Sequence, residues 1–321
     1  MNIDLSCPNC SRNLLGEQDE NSVFTCSECR DVSISNGVLD ARALSGEAAE
    51  DRWAIEYYDR VADIYDAYLP LTFETFGCDE DTERKKMYDR LVKARCKSVL
   101  EVGCGTGRDS IRLVDALDSL QTFHYQDISL PILKKAVTKI ENLFPHIDQR
   151  YHCSNAHKLP YQDKQFDAVY HFGGLNTFDN KKAAIKEMHR VTKDGGVIVI
   201  GDESIPPWYR ETEFSEVLIN SNPHYDFEMP LADLPSEISD VEAKWIIGGV
   251  FYTISFIKNE SAPHADFHLE IPGERGGTHF KRYFGRLEGI SPELRELLNK
   301  EAFKQQISRV DLLESIIKKY L

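Results

Sequence analysis

The stretch Lys97–Asp109 constrains the fold more than any other, because it reads as a strand, a tight turn and a helix. Apolar β-formers precede three glycines at alternate positions, Gly103, Gly105 and Gly107. Apolar residues then recur at helical spacing from Ile111 to Leu117. This order predicts the opening βα unit of a nucleotide-type α/β fold. Glycine suits the turn because it allows positive φ and close approach of a ligand to the backbone.

The residues around the turn limit the classes of ligand that it could bind. Arg108 stands where the dinucleotide fingerprint needs its third glycine, and no Gly-Lys-Ser/Thr of a phosphate loop follows. Glu101 flanks the turn, and Asp127 closes the next predicted strand. An acid at that place can bind the two hydroxyls of a ribose. The alternative is a strand–helix turn that binds no ligand.

The segment Glu101–Gly107 resembles motif I of the class I S-adenosylmethionine (SAM)-dependent methyltransferases. It most resembles the type 11 group, which includes the ubiquinone and menaquinone biosynthesis methyltransferases. The resemblance runs from Ser98 to Lys258 and implies a Rossmann-like fold, methyltransferase activity and SAM as cofactor. The residues that it assigns to the cofactor are Glu101, Gly103, Gly105, Gly107, Asp127, Ile128, Asn155, Ala156 and His171. Asn155 replaces an acid that is usual in the family, and its carbonyl oxygen can still accept a hydrogen bond from the adenine amine.

The order of predicted elements indicates a doubly wound, seven-stranded, mostly parallel α/β sheet. Its final hairpin, Val241–Ile257, is antiparallel and turns at two glycines. We predict five segments: a ribbon over 1–40, a helical cap over 41–95, a methyltransferase domain over 96–258 that includes a lid over 204–240, and an extension over 259–321.

Two C-x2-C pairs lie in the N-terminal segment. The pairs are Cys7/Cys10 and Cys26/Cys29, and their spacing is typical of a four-cysteine Zn²⁺ site. Four thiolates leave no open coordination position, so the predicted zinc is structural. The alternatives are two disulfides or four unrelated thiols.

The predicted cap carries an aromatic stripe at helical spacing, from Trp53 to Tyr68, and we expect its helix to end before Pro70. Core packing is one interpretation of the stripe. In the resembled family such a helix covers the cofactor, which would bring Tyr57, Tyr58 or Tyr65 to the ligand.

Candidate catalytic residues lie where predicted parallel strands end, because ligands meet outside the carboxyl ends of such strands. His171 follows the fourth strand and is the candidate general base, since imidazole titrates near neutral pH. Glu203 and its neighbour Asp202 end the fifth strand and are candidates for orienting the acceptor or His171. Packing roles are the alternative for all three.

The formal net charge of −15 argues against broad nucleic-acid binding. The sequence has no secretory signal and no apolar run long enough to span a membrane, so we expect the eight cysteines in a reducing cytoplasm. We therefore expect a methyltransferase acting on a small-molecule acceptor. Two alternatives stay open: an RNA methyltransferase that docks RNA through the ribbon, and a non-catalytic cofactor-binding scaffold.

Overall fold

The computed structural model describes residues 5–7, 10, 12–14, 23–29, 31–35, 38–42, 49–284 and 290–321. The chain forms two compact units, Met1–Ala262 and Pro263–Leu321. The strands of the first unit are β1 (Val23–Thr25), β2 (Asp31–Ser35), β3 (Val38–Asp40), β4 (Ser98–Val102), β5 (Thr122–Asp127), β6 (Asp148–Cys153), β7 (Phe166–Phe172), β8 (Thr192–Glu203), β9 (Ile238–Ile246) and β10 (Phe251–Lys258). Its helices are α1 (Ala49–Val61), α2 (Tyr65–Thr75), α3 (Glu80–Ala94), α4 (Arg108–Ala116), α5 (Leu130–Ile140), α6 (Lys181–Val191) and α7 (Glu213–Ser221).

The strands form one sheet in the order β1-β2-β3-β6-β5-β4-β7-β8-β10-β9. From β6 to β8 neighbouring strands are parallel, whereas β10 is antiparallel to both β8 and β9. The predicted seven-stranded doubly wound sheet with an antiparallel final hairpin is therefore confirmed as β6 to β9 in this order. The central parallel strands β4, β5 and β7 are buried on both faces, as expected where crossover helices cover a sheet.

The N-terminal segment extends this sheet. Strand β3 pairs in parallel with β6, and β1 and β2 continue outward in antiparallel fashion. Val38 and Leu39 of β3 are buried, and Leu5 forms a bridge with Tyr161 beyond the end of β6. The predicted ribbon is thus continuous with the sheet.

The cap differs from the prediction in two ways. The prediction that its helix ends before Pro70 is wrong, because α2 runs through Pro70 to Thr75 and the break falls between α1 and α2. Pro70 lies in the second turn and removes only the bond to the carbonyl of Asp66, while Phe73 beyond it is buried. The aromatic stripe is also not uniformly core, since Trp53 is 53% exposed.

The segment 204–240 contains α7 and three short 3₁₀ turns, and it lies between β8 and β9 in the chain. The second unit consists of α8 (His279–Phe284), α9 (Pro292–Gln305) and α10 (Arg309–Tyr320). Ala302 of α9 and Leu312 of α10 are buried.

Candidate active site

The glycine turn joins β4 to α4, and all three of its glycines have positive φ. A Cβ at Gly107 would lie 2.3 Å from Cδ1 of Ile140 on α5, so the Ile140 side chain would have to shift to accept one. The turn is held from β5: the Gly103 N–H donates to Oε1 of Gln126 at 3.2 Å, and the Gly105 N–H donates to Oδ2 of Asp127 at 2.9 Å. The predicted turn is therefore built around an acid at the end of the neighbouring strand.

Asp127 is buried, and its second oxygen accepts the N–H of Ser129 at 2.9 Å. Ser129 caps α5 and donates its hydroxyl to Asp59 of the cap helix α1. Burial raises the pKa of Asp127 to about 6. A carboxylate oxygen has more than one acceptor position, so Asp127 can hold the turn and still accept from a ligand hydroxyl.

The loop after β6 contributes Asn155 and Ala156, both buried. Oδ1 of Asn155 accepts the N–H of His157 at 2.8 Å, which fixes the side chain in a local turn. The N-terminal segment supports the far end of this loop, because Ser6 N–H donates to the carbonyl of Pro160 at 3.2 Å.

These elements surround a cavity, called the first cavity here. Its wall consists of Ala54, Tyr58, Tyr65, Gly103, Gly105, Gln126, Asp127, Ile128, Ile132, Asn155, Ala156, His157, His171, Gly173, Gly174, Thr177 and Phe178. The wall brings together seven of the nine residues that the sequence assigned to the cofactor. Gly107 lies behind the turn, outside this wall, and Glu101 lines a second cavity.

Sequence reasoning missed several residues of this wall. Gln126 directly precedes Asp127 in β5, and its place beside that acid at the strand end was the available signal. Thr177 and Phe178 follow β7 in a short 3₁₀ turn, where no motif pointed to them. Tyr58 and Tyr65 of the cap reach the cavity, whereas Tyr57 is not in its wall.

The second cavity shares part of its wall with the first. The shared residues are Tyr58, Tyr65, Gly103, Gly105, Gly173, Gly174 and Thr177. It continues past Glu101 and the glycine turn at one end and to Glu203 and Phe251 at the other. The two cavities therefore meet at the turn, as neighbouring sites for two ligands would.

Glu101 is buried and accepts a hydrogen bond from the hydroxyl of Ser110. Burial raises the pKa of Glu101 to about 8, against the opposing effects of Ser110 and Arg84. A cationic group of a ligand in the second cavity would favour its ionised form.

His171 ends β7 with its ring fully buried. Nδ1 lies 2.7 Å from the carbonyl oxygen of Val102, and a carbonyl only accepts, so Nδ1–H donates. Nε2 consequently carries the lone pair of the neutral ring, and within the described residues it has no hydrogen-bond partner. Burial lowers the pKa of His171, which favours this neutral form.

Asp202 and Glu203 end β8 beside each other. Asp202 is buried and accepts the backbone N–H of Asn176 at 2.6 Å and that of Glu203 at 2.9 Å. The Asn176 side chain donates to the backbone carbonyls of Glu203 and His224. Burial and the adjacent Asp202 raise the pKa of Glu203 well above its usual range.

The four N-terminal cysteines lie together, with all four sulfur atoms within 4.8 Å of one another. No disulfide joins them, and Sγ of Cys10 is 3.5 Å from Sγ of Cys26. Thiolates bound to one tetrahedral zinc at about 2.3 Å stand about 3.8 Å apart, so the cluster fits that ion with small shifts. The disulfide alternative is not supported.

Comparison with known proteins identifies a domain family and relatives. A family model described as a methyltransferase domain matches residues 100–200. The demethylmenaquinone methyltransferase of Renibacterium salmoninarum is 32% identical over 172 residues, which are 51% of this chain and 68% of that protein. That of Geobacillus stearothermophilus is 34% identical over 123 residues, covering 38% of this chain and 52% of the relative.

Among solved structures, a SAM-dependent methyltransferase from Thermotoga maritima aligns with 64% of this chain and 99% of its own, at 15% identity and a TM-score of 0.46. This chain spans about half of the first curated relative, since the match covers 52% of it. Among the described residues, no helix is long and apolar enough to cross a membrane.

Proposed function

This chain belongs to the class I SAM-dependent methyltransferase family, and from this we propose that it transfers a methyl group from SAM to a small-molecule acceptor. The observation that carries the proposal is the pair of adjoining cavities at the glycine turn. One is walled by Asp127 and the Asn155 loop, and the other extends toward Glu203. Two ligands placed in them would meet where the walls are shared.

The first cavity suits the nucleoside part of SAM. We assign the ribose hydroxyls to Asp127, whose carboxylate accepts from hydroxyl donors, and the adenine to the pocket of Ile128, Asn155 and Ala156. SAM, when bound, would supply a methyl group attached to a sulfonium sulfur, ready for direct in-line transfer to the acceptor. The chain's work is alignment and exclusion of water, and the cap tyrosines Tyr58 and Tyr65 cover the junction of the two cavities.

His171 and Glu203 are the proposed catalytic residues. His171 reaches the wall of the first cavity with an unprotonated Nε2, so it can accept a proton without first losing one. Glu203 lines the second cavity. Its pKa is raised above that of an ordinary glutamate, so the pH at which it gains or loses a proton is closer to neutral. The two groups approach the shared wall from different strands.

Incubation with methyl-labelled SAM and a cell extract, followed by fractionation, tests the acceptor class. We expect label in the small-molecule fraction, and no label with Asp127→Ala, which removes the proposed ribose contact. Label in RNA or protein would contradict the acceptor class. Calorimetry that detects binding of neither SAM nor its demethylated product, S-adenosylhomocysteine (SAH), would contradict the proposal as a whole.

We further propose that the N-terminal cluster of Cys7, Cys10, Cys26 and Cys29 binds a structural zinc ion. Four thiolates fill a tetrahedron, so the metal would stabilise the fold and take no part in methyl transfer. The unbridged state of all eight cysteines supports a reducing, cytoplasmic location.

Metal analysis of protein purified without chelator should find about one zinc per chain. Cys26→Ser should lose that zinc, and Cys78→Ser, which changes a cysteine outside the cluster, should keep it. A metal content far below one zinc per chain in the unmodified protein would contradict the assignment.

A further inference from the structure

The second cavity combines aromatic walls with one carboxyl group at the end away from the glycine turn. Rings from three parts of the fold reach it, and the carboxyl belongs to Glu203 at the end of β8. The cavity wall includes the rings of Tyr58, Tyr65, Phe73, Phe172 and Phe251. Phe172 and Phe251 stack with their centroids 6.0 Å apart, which gives this end of the cavity a flat apolar wall.

The Glu203 carboxyl lacks an ion pair with any lysine, arginine or histidine of the described residues, and it lies beside a second acid, Asp202. The two arginines that line the same cavity form ion pairs with Glu80. Nε of Arg84 lies 2.7 Å from Oε1 of Glu80, and Nη2 of Arg108 lies 2.6 Å from Oε2. This end of the cavity therefore holds two neighbouring acids, and none of the described cations pairs with Glu203.

Lys181 contacts Asn176, whose side chain donates to the backbone carbonyl of Glu203, and its own contacts lie elsewhere. Its Nζ donates to Oδ1 of Asn176 at 2.7 Å and lies 3.7 Å from the ring centroid of Phe227. It therefore supports Asn176 and leaves the Glu203 carboxyl without a counter-ion. A half-buried carboxyl beside a second acid is costly to ionise, and a cation brought by a ligand would offset that cost.

We propose that the methyl acceptor is an amine, bound as its ammonium form beside Glu203 with its carbon skeleton among the aromatic rings. This inference rests on the methyltransferase function proposed above. Aromatic faces attract cations, and a carboxylate supplies charge and a proton acceptor together. An anionic acceptor would instead face the two neighbouring acids Asp202 and Glu203.

The chemical step balances with these groups. The ammonium first gives a proton to the Glu203 carboxylate, which leaves a neutral amine with a lone pair on nitrogen. That lone pair forms the bond to the methyl carbon as the carbon–sulfur bond breaks, and the electron pair of the broken bond stays on sulfur. The products are a methylated ammonium and the neutral thioether SAH, so no oxidant or further reactant is needed.

The test measures binding to protein saturated with SAH. Calorimetry compares three probes of similar skeleton: 2-phenylethylamine, 2-phenylethanol and 3-phenylpropionate. We expect the amine to bind at least about tenfold more tightly than the alcohol, and the acid to bind most weakly. Glu203→Gln should lower amine affinity at least about tenfold and leave alcohol affinity unchanged. Glu211→Gln, which changes an exposed acid in the 204–240 segment, is the matched control and should alter neither.

Two results would overturn the proposal: amine binding no tighter than that of the alcohol, including the case where neither binds, or amine affinity unchanged in Glu203→Gln. Failure of SAH itself to bind would instead contradict the proposed methyltransferase function. Because SAH binding is measured first, failure of the amine proposal can be distinguished from failure of the proposed methyltransferase function.

Discussion

Ionisation of Asp127 should make SAM binding pH-dependent. Burial raises the pKa of this carboxyl to about 6. A ribose hydroxyl donates more strongly to a carboxylate than to the protonated acid. SAM affinity should therefore be highest above pH 6, where Asp127 is ionised, and should fall as the pH is lowered through the pKa.

The size of the effect follows from the ionised fraction. One unit below its pKa, about one carboxyl in eleven is ionised, so near pH 5 the affinity should be about tenfold lower than above pH 7. Glu101 titrates separately, because burial raises its pKa to about 8. The fall in SAM affinity at acidic pH therefore reports the protonation of Asp127.

Calorimetric titration with SAM between about pH 7.5 and pH 5 measures this profile. Asp127→Asn has no carboxyl to titrate at this position, so the ratio of wild-type to variant affinity cancels titration of the ligand itself. His157→Gln is the matched control, because His157 lines the same cavity and should leave the profile intact. A wild-type-to-variant ratio that stays constant across the range would refute the reasoning.

Two further predictions concern His171 and the glycine turn. His171→Asn should lower kcat about a hundredfold at saturating SAM; unchanged turnover of the acceptor found by labelling would remove the catalytic role. Gly107→Ala should lower the free energy of unfolding by about 1–3 kcal/mol more than Gly195→Ala, because both have positive φ but only Gly107 meets Ile140. Equal urea midpoints for the two variants would contradict this.

Local sequence was enough to predict the centre of the fold. The turn after β4 follows from glycines that adopt positive φ, and Asp127 follows from its place at the end of the next strand. Both are short-range patterns, and both are held by contacts between adjacent parallel strands. The part of the cavity wall that these two elements form was predictable for the same reason.

Long-range pairing was not predictable in this way. Strand β3 has only three residues, too few to show periodicity, and its place beside β6 depends on contacts made across more than a hundred positions of the chain. Pro70 misled the helix prediction because the burial of Phe73, which holds the helix beyond it, is a tertiary effect. Whether a cation pairs with Glu203 is likewise a matter of tertiary structure. Lys181, for example, contacts Asn176 and Phe227, and no sequence motif predicts that.

The pairing of β3 with β6 also determines what the N-terminal segment protects. Without that segment, the six-residue strand Asp148–Cys153 would become the edge of the parallel sheet, with unpaired N–H and C=O groups open to another chain. Among the strands that the structure describes, the edge on this side is instead Val23–Thr25, a strand of three residues that offers little to pair with. A fragment truncated to the methyltransferase core is therefore expected to self-associate through β6. By pairing with β6, the cysteine-rich N-terminal segment would prevent this edge-to-edge aggregation.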